Sequence, residues 1–265
     1  MVRSTENKKN INVCMPALEI SEAFMRYKNK TIFENLSFSL PGGQWTSLLG
    51  TSGVGKSTLL RMIAGVLTND NLSQKTDECS VGTINASDGI PLKGRVAYMA
   101  QNDLLMPWCN ALENVLLGCK LRGEKTLENI NKAKKLLGMV ELEDSIDLKP
   151  LSMSGGMRQR VALARTLMEN RPIVLMDEPF SALDAITRYK LRNLAAKLLK
   201  NCTVLLVTHD PLEALSLGHN VKIMIGSPAR IIDFKDVPKT PIPRNSDDAD
   251  VVSLYGGVLK MMETI

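Results

Sequence analysis

Apolar residues recur along this chain in two rhythms, a strand-like one of short runs or strict alternation and a helix-like one of i, i+3, i+4 spacing. Met1–Met15 shows neither rhythm and predicts a disordered tail. Short strand-like pieces begin at Leu18, and Asn35–Leu40 alternates cleanly, with Leu36, Phe38 and Leu40 set between Ser37 and Ser39. Pro41-Gly42-Gly43 predicts a turn. Trp45–Leu49 reads as a short apolar strand, and Ser57–Ala64 as a helix that Gly65 closes. Thr68–Ser80 is polar and rich in breakers, which predicts an exposed loop, while Thr83–Leu92 carries no decisive pattern. Arg95–Ala100 reads as a strand ending at Gln101, and Asn102–Trp108 as a loop. Helical patterns follow at Ala111–Leu117 and Leu127–Leu137, closed by Gly118 and Gly138. Pro150–Gly156 is a glycine-containing turn that opens a helix running to about Glu169. Ile173–Met176 and Cys202–Val207 are continuous apolar runs, as expected of strands buried on both faces of a parallel sheet. Between them Ile186–Lys200 is an amphipathic helix. Val221–Ile225 and Ile231–Phe234 complete the strands, Asp236–Ser246 reads as a proline-rich linker, and Val251–Met262 as a closing helix.

Between the strand at Trp45 and the helix at Ser57 lies Gly50-Thr51-Ser52-Gly53-Val54-Gly55-Lys56-Ser57, followed by Thr58. This fits the G-x-x-x-x-G-K-[ST] pattern of a phosphate-binding loop, in the strand-to-helix context that the pattern requires. Glycines let successive backbone N–H groups turn inward around a phosphate. Lys56 brings a compact positive charge to the β- and γ-phosphates, and the Ser57 hydroxyl is suited to ligate Mg²⁺. Downstream, the buried run Ile173–Met176 delivers Asp177 and Glu178 at its C-terminal end, where ligands bind in open α/β sheets. There Asp177 can hold Mg²⁺ through its water shell, and Glu178 can accept a proton from an attacking water. The turn Ser154-Gly155-Gly156 opens a second helix whose N-terminus carries about +0.5 of an elementary charge. The chain therefore has two separate anion-attracting helix ends. Tyr27 offers an aromatic face for stacking on an adenine, and serves equally as a strand-packing residue.

Composition narrows the field only slightly. The 265 residues allow one large α/β domain or two small ones, and 44% hydrophobic content suffices for a full core. No apolar run approaches the roughly 20 residues needed to span a bilayer, and Met1–Ile20 lacks the apolar region of a signal peptide. Five scattered cysteines without C-x-x-C spacing predict a reduced compartment. Two histidines, His209 and His219, argue against a histidine-rich metal site. A formal charge of +5 reads as a mildly basic ordinary surface rather than a nucleic-acid or membrane-surface contact. No internal repeat is visible.

Together these stretches resemble the nucleotide-binding subunit of an ABC transporter, over roughly Leu18–Phe234. The resemblance rests on the order of the phosphate loop, Gln101, Leu151–Arg160, Ile173–Pro179, Ser181-Ala182-Leu183-Asp184 and His209. It implies a P-loop NTPase fold with a mostly parallel sheet core, an N-terminal antiparallel β subdomain and an inserted α-helical subdomain. The expected division is a tail over 1–17, an ATPase domain over 18–235 with its helical subdomain at about 102–160, and a linker and C-terminal helix over 236–265. Residue by residue, the resemblance makes Gln101 a sensor of Mg²⁺ and the γ-phosphate and Ser154-Gly155-Gly156 the signature turn. Asp184 becomes the aspartate of a loop crossing the dimer interface, His209 a γ-phosphate contact and Tyr27 the adenine-stacking aromatic. Two chains then pair head to tail, with ATP between one chain's Lys56 and the other's Ser154. Met153 and Met157 depart from the family's usual leucine and glutamine, which implies altered packing with retained activity.

A finer resemblance follows from Gln101–Trp108 and Glu113-Asn114-Val115, which are similar to importers of the nitrate/sulfonate/taurine type. Leu116–Glu124 is similar to ATPases serving thiamine pyrimidine precursors. This implies integral membrane permease subunits, an extracytoplasmic solute-binding protein reached through the permease, and a place on the cytoplasmic face of the membrane. Trp108 then either sits under a helix of the permease or packs inside the helical subdomain. The competing class is an ABC-type ATPase without a membrane partner, in DNA repair or on ribosomes. Repair proteins of that kind carry a long coiled coil between phosphate loop and signature, and the ribosomal kind usually carries two nucleotide domains. This chain shows neither.

Overall fold

The computed structural model describes residues 15–67, 78–80 and 82–263. Most of the tail expected over 1–17, and most of the loop expected over Thr68–Ser80, lie outside these. The strands β1 (Leu18–Tyr27), β2 (Lys30–Leu40), β3 (Trp45–Leu49), β4 (Glu78–Ser80), β5 (Thr83–Ala86) and β6 (Val96–Met99) come from the first part of the chain. Those of the second are β7 (Ile173–Asp177), β8 (Thr203–Val207), β9 (Asn220–Ile225) and β10 (Arg230–Phe234). The helices are α1 (Lys56–Ile63), α2 (Ala111–Val115), α3 (Leu117–Leu121), α4 (Leu127–Met139), α5 (Gly155–Met168), α6 (Ala185–Leu198), α7 (Pro211–Leu217) and α8 (Ala249–Glu263).

Among the described residues, β1 pairs antiparallel with β2 on one side and with β4 and β5 on the other. The second sheet runs β10-β9-β3-β8-β7-β6 and is parallel throughout except for β10. Its central strands are apolar without alternation because both faces are covered. Val174, Met176, Val204 and Leu206 enter one core with the helices α2, α4 and α5. Ile173, Leu175, Leu205 and Val207 enter another, with α1 and the antiparallel sheet. A third core joins α7 and α8 to β9 through Leu215, Val251, Val258 and Ile223. The fold is thus a mixed α/β one, with an antiparallel sheet packed against a mostly parallel one.

Three local expectations are corrected. Glu78–Ser80 is not loop but an edge strand, with Phe24 opposite Ser80. Gly118 does not close a helix; it lies within α3, where an added Cβ would come within 1.7 Å of the Glu169 carboxylate. Close approach, not termination, requires glycine there, and Gly123 (φ +73°) ends α3 instead. Gly138 likewise lies inside α4, and the chain turns only at Glu141 (φ +57°), whose N–H donates back to the Gly138 carbonyl.

Helix α7 had no counterpart in the hydrophobic pattern, although Asp210-Pro211 is a start signal. The Asp210 side chain accepts from the Leu212 N–H, and Pro211 takes the first helical position. Trp108 does not pack inside the helical region: 69% of it is exposed. Met153 is buried in the core beneath the signature turn and Met157 packs at its edge. Cys109, Cys119 and Cys202 are free thiols. No described helix is long and apolar enough to cross a membrane.

Candidate functional site

Strand β3 ends at Leu49, and the loop Gly50–Gly55 bends directly into α1. Gly53 and Gly55 take φ of +81° and +113°, in the region that side chains avoid. At Gly55 a Cβ would also lie 2.7 Å from Ile32 Cγ2, and at Gly50 one would lie 2.5 Å from the Met224 carbonyl. Gly55 is therefore demanded by packing as well as by the turn, Gly50 by packing and Gly53 by the turn. Lys56 is only 5% exposed, and its Nζ donates to the carbonyls of Gly50 (2.8 Å) and Thr51 (2.9 Å). Burial pushes the Lys56 pKa down, while Glu178 and Asp177 push it back up. Ser52, Gly53, Gly55, Lys56, Ser57 and Thr58 line a cleft of about 230 Å³ whose opposite wall is Gln101 and Glu178.

Parallel strands bring the chemistry to this cleft from far along the chain. Asp177, the last residue of β7, is fully buried and accepts from the Ser57 hydroxyl at 3.0 Å. Its second carboxylate oxygen is buried without a hydrogen-bond partner. Burial raises the Asp177 pKa, the Ser57 hydrogen bond opposes this, and the Glu178 charge adds to the rise. Glu178 stands at φ +48°, where a side chain costs about 1 kcal/mol. It stays there because its N–H donates to the Val207 carbonyl (2.9 Å) and its own carbonyl accepts from the Ser181 hydroxyl (3.0 Å). One Glu178 oxygen lies 3.1 Å from His209 Nδ1, and the other accepts from Gln101 Nε2 at 3.5 Å. Expected site residues from four loops thus meet around one carboxylate.

An orphaned buried carboxylate oxygen, a serine hydroxyl and a glutamine amide oxygen suit a hard cation. Mg²⁺ needs only one or two such protein ligands beside phosphate oxygens and water. Ser57, Asp177 and Gln101 therefore fit the ion as a set.

The remaining expected residues lie elsewhere in the molecule. Ser154 caps α5, its hydroxyl accepting from the Met157 N–H at 3.2 Å, with exposed Gly155 and half-buried Gly156 in the first turn. None of the three lines the Lys56 cleft. Asp184 caps α6 by accepting from the Ile186 and Thr187 N–H groups, and the Thr187 hydrogen bond is the first cause of its lowered pKa. Tyr27 ends β1, half-buried against the core that also holds Val54, and does not line the cleft.

Some neighbours escaped the sequence reading. Gln159, on α5, donates to the Pro179 carbonyl at 2.8 Å and ties the signature helix to the turn after Glu178. Glu213, on α7, is buried behind His209 beside a smaller cavity that Glu178 and Arg188 also line. Burial and the Asp210 charge push its pKa up to about 7 against the pull of Thr208, Arg192 and Arg188. Gln159 carried no local signal because its partner lies 20 residues away, and Glu213 carried none because only the fold buries it.

Comparison with known proteins agrees with this geometry. The family model described as ABC transporter matches residues 33–181. An uncharacterized ABC transporter ATP-binding protein of Haemophilus influenzae is 42% identical over 207 residues, covering 78% of this chain and 81% of that protein. The taurine import ATP-binding protein TauB of Pseudomonas aeruginosa is 39% identical over 224 residues, covering 82% and 81%. A solved post-hydrolysis dimer of the ATP-binding cassette MJ0796, bound to ADP and Pi, superposes with a TM-score of 0.67 at 29% identity, covering 86% of this chain and 99% of that one. Matched over more than half its length by the family model and at 42% identity by a relative, the chain belongs to the ABC transporter ATP-binding family.

Proposed function

We propose that this chain is the ATP-hydrolysing subunit that powers a membrane importer of small sulfonate-like solutes. The observation that carries the reading is Glu178, a carboxylate facing the phosphate loop between His209 and Gln101. ATP's β- and γ-phosphates lie against the loop N–H groups and Lys56, whose ammonium offsets their charge. Glu178 accepts a proton from the attacking water, and His209 orients the Glu178 carboxylate and contacts the γ-phosphate. Mg²⁺, when bound by Ser57, Asp177 and Gln101, adds neutralisation of the phosphate charge. Tyr27 stacks on the adenine.

The active unit is a homodimer in which Ser154, Gly155 and Gly156 of one chain close on ATP held by Lys56 of the other, beside Asp184. The MJ0796 dimers lend support, as does the separation of the two helix ends within one chain. Residues 18–235 form the nucleotide-binding unit, with its helical part at about 102–160. That part meets the permease, for Trp108 is presented to solvent by a loop wound around buried Asn114. The Asn114 side chain accepts from the Met106 N–H (2.8 Å) and donates to the carbonyls of Met106, Cys109 and Asn110.

Relatives named for taurine and aliphatic sulfonate import favour that solute class. The Leu116–Glu124 run keeps a thiamine precursor as the finer alternative, and an extracytoplasmic binding protein selects between them. Glu178→Gln tests the chemistry: it binds ATP, accumulates as a dimer on a sizing column and turns over about a hundredfold or more slowly. Undiminished turnover would place the base elsewhere. Purification from membranes tests the import reading. A co-purifying integral membrane subunit supports it, and solute binding by the associated binding protein identifies the cargo.

A further inference from the structure

The segment after β10 reads as a linker, yet Val237 and Ile242 pack against the cores and the Arg244 side chain gathers most of its polar ties. Arg244 is 4% exposed. Its Nη1 donates to the carbonyls of Leu215 (2.6 Å) and Gly218 (2.8 Å), at the C-terminal end of α7. Its Nε donates to the Thr240 carbonyl (3.0 Å) and its Nη2 to the Pro238 carbonyl. The Arg244 backbone N–H donates to the Ser216 carbonyl (2.9 Å), and the Ser216 hydroxyl donates to the Arg244 carbonyl. A helix leaves its last carbonyls unpaired and carries partial negative charge there. The guanidinium answers both and brings its own segment with it. The next residue extends the tie, because the Tyr189 hydroxyl of α6 donates to Asn245 Oδ1 at 3.2 Å.

What lies at the far ends of these two helices gives the strap its meaning. Helix α7 is seven residues long and buried along most of its length, and it starts one residue after His209-Asp210. Helix α6 starts at its cap Asp184. At 1.5 Å per residue, α7 is a rod of about 10 Å, with the Arg244 clasp at one end and the His209 loop at the other. The contact between His209 Nδ1 and Glu178 has little slack at 3.1 Å, since a displacement of about 1 Å takes it beyond hydrogen-bond range.

We propose that Arg244 is a positioning residue for hydrolysis: by clasping the C-terminal end of α7 it fixes where the other end of that helix presents His209 to Glu178. The proposal rests on the reading of the chain as an ATPase.

The test uses the full chain with Arg244→Met, which removes the fork, and Arg244→Lys, which keeps the charge and loses the fork geometry. A milder Ser216→Ala removes one clasp bond, in case the methionine variant does not fold. ATP affinity, kcat and KM are measured together with the NMR signals of labelled histidine, of which the chain has only two, His209 and His219. The expected result is a kcat lowered by about tenfold to a hundredfold in Arg244→Met. ATP affinity and KM stay within about twofold of wild type, and the His209 signal shifts in both arginine variants. Ser216→Ala gives the same pattern, smaller. His219 shifts on loss of the neighbouring charge alone, so the lysine variant separates charge from position. An unchanged kcat in a folded variant, or an unmoved His209 signal, overturns the proposal. A wild-type chain that neither binds nor cleaves ATP overturns the ATPase reading, and this one with it.

Discussion

Two helices of this chain begin with glycine-rich turns, and they are built to opposite ends. Helix α1 opens from a loop with two glycines at positive φ, an ammonium folded over its mouth and two carboxylates on the facing strand end. Helix α5 opens from a serine that caps its own first turn, exposed to solvent, with no companion charge in the cleft of Lys56. The first is a complete cradle for a phosphate chain. The second has the dipole and the donors but no opposing wall. A single chain thus carries one lined cleft and one exposed helix end, the arrangement that the proposed pairing of two chains would complete.

The contrast breaks first at Lys56. Lys56→Ala leaves the phosphate charge to backbone dipoles and Mg²⁺ alone, and equilibrium ATP affinity falls roughly a hundredfold or more. Wild-type affinity in that variant would remove the α1 cradle from the account. Mixing sharpens the contrast next. Lys56→Ala and Ser154→Arg are each inactive alone, but a mixed dimer puts both lesions in one site and leaves the other intact. Activity then partly returns on mixing. If only the doubly altered chain paired with wild type were active, after correction for wild-type dimers, each chain would own its site. The smallest effect concerns the region behind His209. Glu213 titrates near 7 when folded and near 4.5 in its ordinary state, so the folded protein holds the extra proton between these values. Stability attributable to it therefore falls as pH rises from about 4.5 to about 7 and is level above. Glu213→Gln flattens that slope in thermal melts, gaining on wild type at pH 8 more than at pH 5. Parallel melting curves across this range would show that the carboxyl does not sense the window.

The α1 cradle was legible because its chemistry is contiguous: loop, lysine and serine follow one another, and a buried strand delivers Asp177-Glu178 in one step. The central strands were legible for a related reason, since coverage of both faces removes polar positions altogether. Legibility failed where a residue answers to something remote. Gly118 looked like a helix terminator, but its lack of a side chain makes room for Glu169. Thr68–Ser80 looked like loop throughout, but Glu78–Ser80 finds an edge of β1. Arg244 lies in a proline-rich stretch, and its partners are the last carbonyls of α7, a helix too short to show a clear period. Local pattern reports local energy; the remote pairings appear only once the sheet order is known.

The backbone at Glu178 has a consequence for the kinds of residue the position can accept. A glycine or asparagine would sit more comfortably at φ +48°, so the chain keeps its carboxylate against the local preference of its own main chain. Glu22 and Glu141 take similar φ values of +56° and +57°, so the conformation by itself does not mark a functional residue; at Glu178 it coincides with a carboxylate that lines the phosphate-loop cleft. Glutamine inherits the same conformational discomfort with the same length and shape, which makes it the cleaner chemical probe. Asparagine or glycine would relax the backbone while deleting the base, so those variants mix two effects of opposite sign on the folded state. With Glu178 as the proposed base, position 178 is one where a sturdier protein and a working one would be different proteins.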